Sequence, residues 1–319
     1  MAVYKFSNKL KKNDVDKTTY ERHLTGEEDS NVLDKNYIHK IQERFHELGF
    51  GYMVGNINGC FNIKLYATIL AFQIQAKSQK RNIYNFFSEK EYTEKINITF
   101  LGQVNGVFDN ETAKELSLWL ENNYRNSCDV PLVKWGKTWI RSETSEKIEK
   151  IKSKVLGLGG IFPINSIACF RNPANTTISK GMKKTSLHLA ALAIDLDEWR
   201  GMQDPDTDYY YIADRDGEYW DVFVKSKLKN NTLKKDFTFY DFDKRQYYNK
   251  TLEGGFINIS KLFEEQAMIP IRRKMGWERE YYLTEWWHFQ RINTDDSIWQ
   301  KEMNKIGYIN KFLKKQNYI

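Results

Sequence analysis

Thr185-Ser-Leu-His-Leu-Ala-Ala-Leu-Ala-Ile-Asp195 sets an imidazole and a carboxylate seven residues apart in an otherwise apolar run. In a regular strand, residues seven apart fall on opposite faces, because side chains alternate. His188 and Asp195 can meet only if part of the run turns and the rest is extended. A second stretch, Thr284-Glu-Trp-Trp-His-Phe-Gln290, places His288 three residues beyond Glu285. Of the five histidines in the chain, only His188 and His288 follow residue 46. A catalytic zinc takes three protein ligands from imidazole and carboxylate and keeps a fourth position for water. His188, Asp195 and His288 supply that set for one Zn2+. Glu285 is then placed to reach the water as general base, with the tryptophans shielding the site. Each half alone has a plainer account: the spacing of seven can be coincidence. A histidine beside an acid can be a hydrogen-bonded core pair, since burial demands a partner or an ion.

Working outward, the residues around these stretches predict a domain that mixes helices with a mainly antiparallel sheet. Ile164-Asn-Ser-Ile-Ala-Cys-Phe reads as a strand. Tyr209-Tyr-Tyr-Ile-Ala, Asp216-Gly217 and Glu218-Tyr-Trp-Asp-Val-Phe-Val read as a hairpin. Asp214-Arg-Asp216-Gly217 lacks the later glutamate of a calcium loop and fits the hairpin turn. Helices are expected from Ser142 and from Ser260, the first with a capping hydroxyl. The aromatic stretch from Tyr209 to Tyr248 either packs or lines a cleft.

Nearer the N-terminus, residues 1–33 are polar and read as an arm. Tyr37, Ile38, Ile41, Phe45 and Leu48 have helical spacing that stops at Gly49. Leu65, Ile69, Phe72 and Ala76 share a second helical face. Asn105-Gly-Val-Phe-Asp109 is a turn whose Asp109 or Asn110 caps a third helix. The expected organisation is an arm (1–33), a small three-helix module (34–127) and an α+β domain (128–319).

The 319 residues are 41% hydrophobic and 15% aromatic with only 5 prolines, a composition that excludes general disorder. A net charge of +7 favours polyanionic surroundings. The lysines fall in short groups, Lys9 to Lys12 and Lys225 to Lys235, as on a solvated surface, so no nucleic-acid partner is expected. Cys60, Cys128 and Cys169 are odd in number and far apart, which supports neither a disulfide framework nor a cysteine metal site. No apolar stretch is long enough for a transmembrane segment, and no secretory signal is visible at the N-terminus.

Ser186-x-His188-x-x-Ala191-x-Ala193-x-Asp195 together with Glu285-x-Trp287-His288 closely resembles the paired motifs of zinc D-alanyl-D-alanine peptidases. That family spans carboxypeptidases, dipeptidases and phage L-alanyl-D-glutamate endopeptidases. The resemblance covers about residues 160–292, and Ala191 stands where the family has glycine. It implies a zinc metallopeptidase acting on peptidoglycan stem peptides, with D,D cleavage beside D-alanine first and L-alanyl-D-glutamate cleavage second. A non-catalytic wall-binding protein is the rival. Cys169-Phe-Arg-Asn-Pro173 resembles the family segment whose arginine faces the scissile carbonyl, which makes Arg171 the oxyanion candidate. An arginine paired with a surface acid is its plainer account. Ser186 and Trp286 are candidates for contact with substrate. Separately, Ile41-Gln-Glu-Arg-Phe-His-Glu-Leu-Gly49, Ala71-Phe-Gln73 and Asn105 to Thr112 occur in the order found in peptidoglycan-binding repeats, with residues 77–101 as a long insert. The resemblances place the action in the bacterial periplasm or cell wall. With no visible signal, delivery would fall to a phage lysis system, a contractile secretion machine or a leader no longer attached.

Overall fold

The computed structural model describes residues 35–85, 88, 90–162, 167–174, 185–228, 232–291 and 296–319. The expected arm, and residues 164–166 of the expected strand, lie outside them. The chain is α+β, with helices and antiparallel sheets. Its contacts divide it into two compact units. The first takes the chain up to Pro131, the segment that starts at Asn172, and Gln300–Ile319; the second takes Leu132–Arg171 and Thr185–Trp299.

In the first unit, helices α1 (Lys35–Glu47), α2 (Gly51–Val54), α3 (Ile63–Ala76) and α4 (Asn110–Glu121) surround an aromatic core. Phe45 and Phe72 meet edge to face at 5.4 Å, and Phe72 meets Trp119 at 4.9 Å. Helix α3 is apolar on almost every side and is buried accordingly. Asn62 caps α3 by accepting from Lys64 N and Leu65 N, and Asp109 caps α4 by accepting from Thr112 N. Two turns are clamped alike. Gln42 donates to Asn58 Oδ1 and Cys60 O and accepts from Asn58 N and Gly59 N. Gln73 donates to Val107 O and Thr112 Oγ1 and accepts from Asn105 N and Gly106 N. Each clamped turn reads Asn-Gly-x-Phe and runs into a capped helix. Gly106 is required there: its φ is +76°, and a Cβ would lie 2.2 Å from the Tyr66 ring.

The insert at 77–101, which the helical pattern left unassigned, forms hairpin β1 (Lys80–Asn85) and β2 (Lys90–Lys95), with β3 (Tyr124–Arg125) beside β1. Arg81 anchors it: its buried guanidinium donates to the carbonyls of Gln75, Ala76 and Ser78 and lies over the Trp119 ring. Gln300–Ile319, which the sequence division put with the later domain, packs in this unit. Tyr52 Oη donates to Ile306 O, and Val130 N to Lys305 O.

The second unit begins with hairpin β4 (Leu132–Trp135) and β5 (Thr138–Arg141) and helix α5 (Ser142–Gly157). Strands β7 (Tyr210–Asp214), β8 (Trp220–Lys225), β9 (Thr232–Asp241) and β10 (Gln246–Asn258) close into a small barrel in the order β10-β8-β7-β9. Tyr211, Phe223, Phe237, Phe239 and Phe256 fill it, so much of the aromatic stretch from Tyr209 is core. The expected β7–β8 hairpin turns at Gly217, φ +85°, whose N–H donates to Asp214 Oδ1. Helix α6 (Ile259–Glu265) follows β10. The sheet that positions the candidate site is smaller: β11 (Met268–Pro270), β12 (His288–Arg291) and β6 (Ala193–Asp195), antiparallel with β12 central. Among the described residues no helix is long and apolar enough to cross a membrane.

Candidate metal centre

His188 lies in a 3-10 turn, Leu187–Ala190, and Asp195 ends β6, so a turn followed by a strand joins them. The change of direction falls on Ala191, φ +53° and ψ +38°, and Leu192 N–H closes it on Leu187 O. A left-handed alanine costs about 1–2 kcal/mol because its Cβ crowds the following carbonyl, so packing on both sides must hold it. His288 is the direct cross-strand partner of Asp195 in the β12–β6 ladder. Opposite residues of an antiparallel pair share a face, and this brings together side chains 93 positions apart. Residues 167–170 flank β6 on its other side: Ala168 and Asp195 exchange backbone hydrogen bonds of 2.9 and 2.7 Å.

The three side chains converge. His188 Nε2 lies 3.1 Å from Asp195 Oδ1, His288 Nδ1 lies 2.9 Å from the same oxygen, and the two nitrogens are 3.2 Å apart. His188 and His288 are 2% and 9% exposed, so water does not satisfy these atoms. The remaining ring nitrogens are already assigned. His188 Nδ1 is 2.6 Å from the Cys169 carbonyl and must donate to it. His288 Nε2 is 3.2 Å from Gln290 Oε1, an acceptor as well. With those nitrogens so engaged, both rings turn their other nitrogen toward Asp195 Oδ1. Three ligand atoms that face one another at about 3 Å can share one positive charge, a proton or a metal ion. Tying the second ring nitrogen to a carbonyl or amide is also how proteins orient metal-ligating histidines. The group can bind a metal ion. A tetrahedral zinc with bonds of about 2.0–2.1 Å separates its ligand atoms by roughly 3.3 Å, so the spacing fits. Burial pushes the Asp195 carboxyl up, but the imidazoles of His188 and His288 outweigh it and hold the group well below the usual carboxylate range.

Arg171 follows the flanking segment; its N–H donates to His188 O, and its Nη2 lies 2.8 Å from Asp195 Oδ2. The guanidinium therefore fixes the carboxylate with Oδ1 toward the imidazoles. It remains half exposed. Glu285 sits in the turn that enters β12, at φ +52°, and its carbonyl accepts from His288 N at 3.1 Å. Its carboxylate contacts Lys274 Nζ. Ser186 precedes the 3-10 turn and offers its carbonyl to Trp299 Nε1 and Leu189 N; its hydroxyl makes no cap. Trp286, the other candidate for substrate contact, is 1% exposed. Its ring lies against Tyr210 and Trp287, and its Nε1 donates to Tyr281 Oη, so it packs the turn from within. Gly201 makes room for that ring, since a Cβ there would come within 2.7 Å of it.

No protein-family model, curated protein or solved structure matches this chain. The site is thus read from its own geometry. Four participants escaped the sequence: the Cys169 carbonyl, Gln290, Lys274 and Glu198. Gln290 alone carried a signal, because it follows His288 by two and so shares its face of β12. Glu198 lies in the field of the centre, its carboxyl pushed up by burial and by Asp195, Asp197 and Glu285.

Proposed function

We propose that this chain is a zinc-dependent peptidase of the D-alanyl-D-alanine carboxypeptidase and dipeptidase type that cleaves peptidoglycan stem peptides beside D-alanine. The observation that carries the reading is the convergence of three acceptor atoms, from His188, Asp195 and His288, with Glu285 one turn away. A structural zinc site is closed by four protein ligands, whereas three ligands plus a carboxylate outside the set suit hydrolysis. A zinc ion held there would polarise a peptide carbonyl and bring the pKa of a water toward neutrality. Glu285 takes the proton of the attacking water and passes it to the leaving amine. Arg171, already held on Asp195, lends its exposed guanidinium to the charge that develops on the carbonyl oxygen. His188 and His288 would hold the ion, their rings oriented by Cys169 and Gln290.

The stem-peptide substrate rests on the motif resemblance, as does the role of the first unit as a wall-binding module of the peptidoglycan-binding type. The same resemblance puts the work in the periplasm or cell wall. The test is a digest of purified muropeptides by the zinc-loaded chain, read by mass spectrometry. Loss of a terminal D-alanine is expected, and Glu285→Gln should keep one zinc while releasing nothing. Fragments split between L-alanine and D-glutamate would redirect the reading to the endopeptidase branch. No fragments at all would reduce the chain to a metal-bearing binder.

A further inference from the structure

The tip of the β9–β10 hairpin carries an open groove of about 500 Å³, within the range of small-molecule sites, about 300–1,000 Å³. The rings of Tyr240, Phe242 and Tyr248 line it, interleaved with the amides of Gln203 and Gln246. Phe242 also meets Trp199 at 6.3 Å, and Trp199 meets Tyr282 at 5.9 Å, so the ring surface runs on past the groove. Tyr248 and Phe242 are 39% and 42% exposed, and Trp199 and Tyr282 are 53% exposed. Contiguous rings left in water mark a binding surface, because covering them recovers hydrophobic free energy.

The scaffold is set before any ligand arrives. Asp241 ends β9 opposite Gln246, the first residue of β10. Its Oδ1 accepts from Asp243 N and Lys244 N, and its Oδ2 pairs with Lys244 Nζ at 2.8 Å. Tyr240 N–H donates to Met202 O at 2.6 Å and holds the strand end against the segment that carries Gln203. A groove so held loses little conformational entropy on binding.

Charge selects the occupant. The one ammonium among the described lining residues, Lys244, is paired with Asp241, so the lining has no net charge. A phosphate, a nucleotide or an acidic peptide finds no unpaired cation there. The nearby carboxylates are engaged as well: Asp204 accepts from Asp206 N and Thr207 Oγ1, and Asp208 from Gln203 N and Asp204 N. What fits is a neutral molecule with apolar faces for the rings and hydroxyls for the amides and the remaining lone pairs of Asp241.

We infer that this groove binds a neutral oligosaccharide, with its C–H faces on Phe242 and Tyr248 and its hydroxyls on Gln203, Gln246 and Asp241. The assignment goes beyond the peptidase reading and does not depend on it.

The experiment titrates the full chain with chitotetraose and with cellotetraose, both neutral, by saturation-transfer NMR and calorimetry. At least one should bind with a Kd of about 1 mM or tighter, the range of a small ligand held by a few contacts. Phe242→Ala and Tyr248→Ala should each weaken binding about tenfold, the scale of one stacked ring. Gln246→Ala should weaken it about threefold, the scale of one neutral hydrogen bond, and its exposed side chain keeps the test open if a ring variant fails to fold. Binding of neither sugar, or binding that all three variants leave unchanged, overturns the assignment. Capped tetra-alanine bound as tightly as the sugars also overturns it and makes the groove a peptide site. None of these readouts involves cleavage, so the peptidase reading stands or falls separately.

Discussion

Gln73 in the first unit and His288 in the second are both buried polar side chains joined to distant segments, and they are satisfied in opposite ways. Both donors and both acceptor positions of the Gln73 amide are used by the protein itself, by Val107, Thr112, Asn105 and Gly106. His288 uses one nitrogen on Gln290 and aims the other at two further acceptors. The first arrangement is complete, and its effect is to fix a turn. The second brings ligand atoms of three side chains to one point, a group that can hold a metal ion. Burial of polar groups does not by itself separate structure from function; the balance of donors against acceptors does.

The largest effect that can break this contrast is on turnover. His288→Ala should lose zinc and hydrolysis together, while Glu285→Gln should lose about 10²- to 10⁴-fold in kcat with zinc retained, by metal analysis and peptide assay. Next is the zinc dependence of stability. Zinc at 100- to 1,000-fold above its Kd should add about 3–4 kcal/mol to unfolding of the second unit, and His288→Ala should erase the gain. Gln73→Ala should behave in the opposite sense. It strands the N–H groups of Asn105 and Gly106, costs roughly 3 kcal/mol, and does so with or without metal, as denaturant titration will show.

Asp208 sharpens the contrast from between the extremes. Its Oδ2 accepts from Gln203 N and Asp204 N, yet burial still prevails and pushes its pKa up to about 6. Unfolded, the group titrates near 4 (about 3.9 for a free Asp). Between those values the folded state holds a proton that the unfolded state has lost, so this contribution to stability falls as pH rises from about 4 to 6. Asp208→Asn should flatten that slope and raise stability at pH 7. Partial exposure screens the effect, which reduces the expected gain to about 1 kcal/mol. The smallest effect is at Ala191. Ala191→Gly relieves the left-handed φ but removes a buried methyl and loosens the unfolded chain, so stability should change by less than about 1 kcal/mol and zinc affinity not at all.

The sequence carried the ligand set because its two motifs are local: seven residues require a turn and a strand, and Glu285 and His288 lie within one turn. The three principal helices of the first unit were legible from apolar spacing and, for the third, from the cap at Asp109; the Asn62 cap appears only in the structure. What could not be read depends on partners far along the chain. The pairing of His288 with Asp195, the closure of the barrel by β9 and β10, and Lys274 against Glu285 follow from register and packing rather than spacing. The hairpin at 80–95 was missed because its exposed face alternates charged and polar residues, with little apolar signal. Trp286 misled because a tryptophan beside ligands looks the same in sequence whether it faces substrate or core.

The direct opposition of His288 and Asp195 makes the centre a proofreader of its own sheet. A slip of one residue between β12 and β6 would carry Phe289 or Ile194 into the site and send a ligand to the opposite face. Such a molecule could be compact and still unable to hold a metal. If the proposed zinc binds there, its loading would count correctly registered copies, and metal stoichiometry would become an assay of folding fidelity for preparations in which optical signals report only that a sheet has formed.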